Sequence, residues 1–242
     1  LADVHLGAIG ADTQAFYELI TQIASEPNSY VTLQGDLIDN GTRNSVTNIF
    51  KATMPPSQQK REMAKALEPI RDKILCVLPG NHCRRSGKDS DDDPMYDVAA
   101  KLDIEDRYRE DMAFIRIALG RNRTRTGNGR QYSYTMACVH GAGGGITPGA
   151  GVNRASRFLN TMDGVDILVH GHTHMPYAMP GAKLVVDIQN KRVTQRRTLM
   201  VCASSWLGYV GYPITGMMPI TASGSPNRIM LYGYKHWFEG IT

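Results

Sequence analysis

"ILVHGHTHMP", residues 167–176, runs three aliphatic side chains into His170, His172 and His174, three of the seven histidines in the chain. A short apolar run rich in β-branched residues and bounded by glycine reads as a buried strand. In α/β folds, ligands gather just beyond the carboxyl ends of strands. Imidazole is the side chain that binds metals and moves protons near neutral pH. The stretch therefore predicts a strand that delivers histidines to a site, and an α/β chain that should repeat the pattern elsewhere.

It does repeat. Strand-like runs fall at 30–34, 73–78, 113–119, 131–139, 166–170, 183–187, 197–204 and 228–234. Helical spacing of apolar residues predicts helices over about 12–26, 57–72, 94–102 and 153–162. Strand and helix alternate early, and strands dominate later. Polar clusters follow the strands: "GDLID" after "YVTLQ", "GNH" after "KILCVL", "HG" after "TMACV" and "GHTH" after "DILVH".

These clusters and the opening "ADVHLG" supply Asp3, His5, Asp36, Asn81, His140, His172 and His174 as candidate metal ligands. Asp3 and His5, two apart, share a face if that segment is extended. So many oxygen and nitrogen donors exceed one tetrahedral site and suit two metals sharing a carboxylate, an arrangement that clamps a phosphoryl group and its attacking water. The absence of thiolate suits Mn, Fe, Zn, Ni or Co.

The order D-x-H, GDxxD, GNH, HG, GHTH, spanning residues 3–174, resembles the calcineurin-like metallophosphoesterases. That resemblance implies a four-layer α/β/β/α sandwich of two mixed sheets flanked by helices. It implies two divalent ions, Mn²⁺ first, with Fe, Zn, Ni or Co as alternatives. Asp3, His5 and His174 would hold one ion, Asn81, His140 and His172 the other, and Asp36 would bridge them. His82 would act beside the substrate, as proton donor or transition-state stabiliser, and a metal-bound hydroxide would be the nucleophile. Family members carry a full strand before the first motif, whereas only Leu1 and Ala2 precede Asp3 here. We therefore expect residues 1–242 to be one domain that begins inside a longer chain.

The remaining features bound the class. The chain has 242 residues, 42% hydrophobic and 21% charged, as in soluble globular proteins. No apolar run reaches the roughly 18 residues of a membrane helix, and the opening has no signal-peptide pattern. Cys76, Cys83, Cys138 and Cys202 form no CxxC pair, so free thiols in the cytoplasm are expected. His170 reads as a packed strand-end residue, His236 as structural, Asp39 as a turn or supporting residue, and Asn40 as a cap.

Arg84 and Arg85, just past His82, are either a solvated loop or substrate contacts, since guanidinium forks match phosphate oxygens. "DSDDD" at 89–93 reads as an acidic loop, and "RNRTRTGNGR" at 121–130 as a hairpin turn. "GAGGGITPGAG" at 141–151 is not a P-loop, because no GK[ST] follows. The aromatic stretch 204–219 reads as core or an oligomer contact. A net charge of +4 and the arginine clusters tilt the substrate toward a phosphodiester, in nucleic acid or nucleotides. The alternatives are a phosphomonoesterase or protein phosphatase, and a non-catalytic scaffold domain of a larger complex.

Overall fold

Phe16, Leu19, Ile20 and Ile23 recur at helical spacing and are the buried face of α1, Thr13–Ser25. The Oδ1 of Asp12 accepts from the Ala15 backbone N–H at 3.0 Å and caps the helix. Asp12→Ala is expected to cost about 1 kcal/mol, read as a shift in the urea midpoint. The computed structural model describes residues 1–43, 45, 49–120, 129–143, 147–215, 217–221, 223–224 and 227–242.

After α1 come β1 (Val31–Leu33), α2 (Pro56–Leu67), β2 (Ile74–Val77), α3 (Asn81–Ser90), α4 (Pro94–Lys101), β3 (Met112–Gly120), β4 (Gln131–Val139) and α5 (Pro148–Asn160). Then follow β5 (Ile167–His170), β6 (Tyr177–Asp187), β7 (Arg192–Cys202), a short helical turn α6 (Tyr212–Thr215), β8 (Arg228–Leu231) and β9 (Phe238–Ile241). Strands β1 and β2 pair in parallel. A five-stranded mixed sheet has the order β3-β4-β5-β7-β6, with β4, β5 and β7 parallel and antiparallel strands at both edges. Strands β8 and β9 form an antiparallel pair.

Alternation along the strands sorts the core. Met136, Cys138, Ile167, Val169, Leu199 and Val201 cluster with Cys76 and Leu78 from β2 and its end and with Phe238 of β9. Ala137, Leu168 and Met200, on the opposite face, pack against Ala155 and Leu159 of α5. The helices α1, α2 and α4 bury Phe16, Met63, Leu67 and Val98 against Val31, Leu33 and Val77. The parallel central strands all end toward one edge of the sheet.

Three sequence expectations change. Residues 81–90 are a helix rather than a loop: "NHCRRSGKDS" has little apolar content, and its buried face shows only as Cys83 and Ser86, one turn apart. Strand β6 begins at Tyr177, six residues before the expected start, and contains Pro180. Proline is tolerated there because β6 is an edge strand. Helix α5 begins at Pro148, so "GAG" at 149–151 is helical, with proline in the favoured first position. Residues 144–146 of the glycine-rich stretch and 121–128 of the arginine-rich one lie outside the described residues. The strands flanking the latter, β3 and β4, pair antiparallel as a hairpin requires.

Candidate metal centre

Residues 1–6 run beside 34–39, with Asp3, His5 and Leu6 donating backbone N–H groups to the carbonyls of Gly35, Asp36 and Leu37 at 3.0–3.1 Å. On the other side Trp206 donates its backbone N–H to the Asp3 carbonyl at 3.0 Å. This seats Asp3 and His5 next to the loop after β1, which carries Asp36, Asp39 and Asn40. Asn81 and His82 form the first turn of α3, after β2. His140 follows β4, and His172 and His174 follow β5.

The backbone at this edge is unusual. Asp3, His5, Asp36, Asn40, His172 and His174 all have positive φ, between 44° and 70°. Left-handed conformation costs a non-glycine residue roughly 1 kcal/mol or more, and such strain concentrates at functional sites. This corrects the sequence argument for Asp3 and His5. They are not extended, and two left-handed residues flanking the buried Val4 bring them together instead.

Two adjacent donor clusters result. In the first, a carboxylate oxygen of Asp3 and ring nitrogens of His5 and His174 lie within 4.8 Å of one another. The Nε2 atoms of His5 and His174 are 3.3 Å apart, and Asp3 Oδ1 lies 3.3 Å from His174 Nε2. Asp3 Oδ2 accepts from the His172 backbone N–H at 2.8 Å, whereas buried Oδ1 has no hydrogen-bond partner. Two facing imidazole nitrogens and an unsatisfied buried carboxylate oxygen fit a divalent cation.

In the second cluster, donor atoms of Asp36, His140 and His172 likewise lie within 4.8 Å of one another. Asp36 Oδ2 is 3.2 Å from His140 Nε2. Asn81 Oδ1 lies 2.9 Å from His140 Nε2 and 2.8 Å from His172 Nδ1. His140 Nδ1 donates to the Gln34 carbonyl at 2.6 Å, which orients the ring and turns Nε2 to the cluster. All seven candidate ligands thus converge at one edge, and no cysteine thiol joins either cluster.

His82 stands beside both. Its Nδ1 donates to the Asp39 carbonyl at 2.7 Å and lies 3.4 Å from Asp39 Oδ1, and its Nε2 is 4.0 Å from Asp36 Oδ2. His5, Asp39 and His82 form a third close group. The His82 backbone N–H donates to Asp36 Oδ1 at 2.9 Å, tying the start of α3 to the second cluster. Asn40, rather than capping a helix, donates its amide to the His82 carbonyl and to Ser86 Oγ, at 2.9 and 2.6 Å. Gln59 of α2 accepts from the Asn40 backbone N–H at 2.8 Å and is fully buried. The sequence reading passed over Gln59, although a glutamine in register with buried Met63 and Leu67 was the available signal.

Electrostatics divide the four imidazoles: His5 and His172 are favoured neutral, whereas the carboxylates beside His140 and His174 favour their protonated forms. Burial and the neighbouring His82 push the His5 pKa down to about 3. Burial also lowers His172. For His140 burial pulls the same way, but the hydrogen bond and charge of Asp36 outweigh it and raise the pKa to about 9. Burial works against ionised Asp36 and Asp3, yet His140 and His174 hold these carboxyls below their usual range. A cation in the second cluster competes with protons for His140, so uptake is linked to pH.

The remaining candidates have other partners. Arg84 donates to the Glu110 carbonyl and to Asp111, both at about 3 Å, and Arg85 donates to Ser45 Oγ at 3.2 Å. His170 is buried and bonds the Tyr177 hydroxyl at 2.6 Å, outside both clusters. His236 stacks on Tyr134. The four cysteines are free and buried. No helix among the described residues is long and apolar enough to cross a membrane.

Comparison with protein families gives a match between residues 1–176 and the model for calcineurin-like phosphoesterase. That span contains every residue of the three donor groups. A search of curated proteins returns no match to the chain.

Proposed function

The chain belongs to the calcineurin-like phosphoesterase family, and from that premise we propose that it hydrolyses phosphodiesters at a binuclear metal site, with nucleic acid or nucleotides as substrates. The family and the donor clusters make it a metal-dependent phosphoester hydrolase. The observation that supports two metals is the pair of adjacent, thiolate-free clusters, one with a buried carboxylate oxygen that lacks a hydrogen-bond partner, and the tilt toward a diester rests on the net charge of +4.

Asp3, His5 and His174 would hold one divalent ion, Asn81, His140 and His172 a second, and Asp36 would be shared. Mn²⁺ is the first choice for this donor set. Bound there, the ions would supply charge neutralisation for the phosphoryl oxygens and a water acidic enough to attack at neutral pH. The rest falls to the chain itself. The Gln34 carbonyl fixes the His140 ring, and the backbone N–H groups of His172 and His82 hold the Asp3 and Asp36 carboxylates. Asp39 fixes the His82 ring, whose Nε2 would give a proton to the leaving oxygen. His174 and His82 are partly exposed, 31% and 13%, as are Asn81 and His172, so substrate would approach over this side of the centre.

The same reading takes residues 1–242 as one domain and its sheets and helices as a four-layer sandwich. The buried free thiols support a cytoplasmic setting. The test is metal content by mass spectrometry on protein purified without chelator, with hydrolysis of bis-p-nitrophenyl phosphate and p-nitrophenyl phosphate on the same sample. About two transition metals per chain and preferential cleavage of the diester are expected. Preferential monoester cleavage would move the substrate class to phosphomonoesters. No metal and no activity after adding Mn²⁺ would leave a scaffold.

His82→Ala is expected to retain the metals and lose roughly 10²–10⁴-fold in kcat on an alkyl phosphodiester. The loss should be smaller for p-nitrophenolate, which leaves without a proton. An equal loss on both substrates would remove His82 from the proton-donor role.

A further inference from the structure

The start of β4 lies at the far end of the strand from His140, and there the described residues gather a second group of side chains with no part in the donor clusters. Between β8 and β9 the chain reads "YGYKHW", residues 232–237. Buried Tyr134 pins this turn: its hydroxyl lies 2.6 and 2.9 Å from the Tyr232 and Lys235 carbonyls and 3.2 Å from the Trp237 backbone N–H. The His236 ring stacks on Tyr134 at 4.8 Å. The turn is therefore built on the core.

Its other side chains form a cation–aromatic surface. Lys235 Nζ sits 5.1 Å from the Tyr232 ring centre, 5.7 Å from Tyr234 and 5.1 Å from Trp237. The Arg197 guanidinium lies 4.1 Å from the Trp237 ring centre. At the β4 start, Arg130 lies 5.1 Å over Tyr132. Tyr234 is 70% exposed. Among the described residues no carboxylate pairs with Arg130, Arg197 or Lys235. The nearby Glu239 is taken up by the Trp237 indole N–H and the Tyr232 hydroxyl.

We infer that this surface is a docking platform for single-stranded nucleic acid. Three cations without acidic partners match a phosphate backbone, and the rings among them offer π-faces to unstacked bases. A duplex keeps its bases stacked and could use only the charges. At about 3.3 Å per residue along β4, the platform lies roughly 25 Å from His140. A strand bound there would be presented to the site from outside it. The inference rests on the phosphodiesterase reading for its purpose, while the binding itself needs neither metal nor turnover.

The test uses the full chain in EDTA and a fluorescent oligothymidylate of about 20 nucleotides, followed by anisotropy. Binding that weakens steeply with salt is expected. Tyr234→Ala combined with Lys235→Glu should weaken it roughly tenfold or more, with bis-p-nitrophenyl phosphate hydrolysis unchanged once metal is restored. Failure of the wild type to bind, equal binding by the double variant, or equal binding of a duplex of the same length would overturn the inference. So would capture of phosphatidylserine vesicles through these residues without oligonucleotide binding, which would make the surface a membrane contact. Diester hydrolysis without oligonucleotide binding would sink the platform and leave the enzyme reading intact; binding without hydrolysis would do the reverse.

Discussion

Asp36→Asn is expected to reduce phosphoester hydrolysis by roughly 10³-fold or more and to lower bound metal in the same preparation. The substitution keeps shape and volume, so packing is not the variable. Asp36 is almost fully buried, accepts the His82 backbone N–H through one oxygen, and lies 3.2 Å from His140 Nε2 through the other. An amide can satisfy only one of those two contacts as an acceptor. Its NH₂ group would then face either a backbone donor or the His140 nitrogen. The negative charge that favours a cation between His140, His172 and Asn81 would also be gone. The contrast with His82→Ala is the decisive feature: one variant should lose metal, the other keep it. Metal content by mass spectrometry, with circular dichroism to verify folding, separates the two. Full metal occupancy and near-normal turnover in Asp36→Asn would exclude Asp36 from the centre.

Asp36, Asn81, His140, His172 and His174 were legible because their motifs close apolar runs, and parallel strands deliver their ends to one edge. Strand β4 matches its expected bounds at Gln131–Val139, where polar and apolar residues alternate between a hairpin and a histidine. The manner in which the donors meet was not legible. Nothing local in "ADVHLG" announces left-handed backbone at Asp3 and His5; the neighbouring strand-like segments impose it. Helix α3 was hidden because its stability rests on its anchorage to Asp36 and Asn40 more than on an apolar stripe. Gln59 was hidden because burying a glutamine makes sense only once the Asn40 backbone N–H arrives to be satisfied. The turn at 232–237 was read for a lone histidine, and its cations and rings came together only through Tyr134.

Gly35→Ala is expected to destabilise the protein by about 3 kcal/mol or more and to empty the metal centre, although glycine itself binds nothing. Gly35 has φ +87°, where an L side chain is strained whatever the surrounding space. A Cβ there would also fall 2.6 Å from the Gly80 nitrogen and 2.7 Å from the Pro79 carbonyl carbon, and both are backbone atoms. No rotamer change can relieve such a contact. The reverse approach is as close, since a Cβ on Gly80 would stand 2.0 Å from Asp36 Oδ1. The loops after β1 and β2 thus touch main chain to main chain. That contact allows the His82 N–H to reach Asp36 and keeps Asn81 beside His140. Forcing the loops apart should therefore cost stability and metal together, whereas Asp36→Asn should cost mainly metal. Gly149→Ala is the control: its Cβ meets nothing within 4 Å and it lies in the first turn of α5, so a change within about 0.5 kcal/mol is expected. Urea midpoints for the two alanine variants, with metal content on each, decide the matter. If Gly35→Ala unfolds like the control and retains its metals, the two loops do not depend on each other for their spacing.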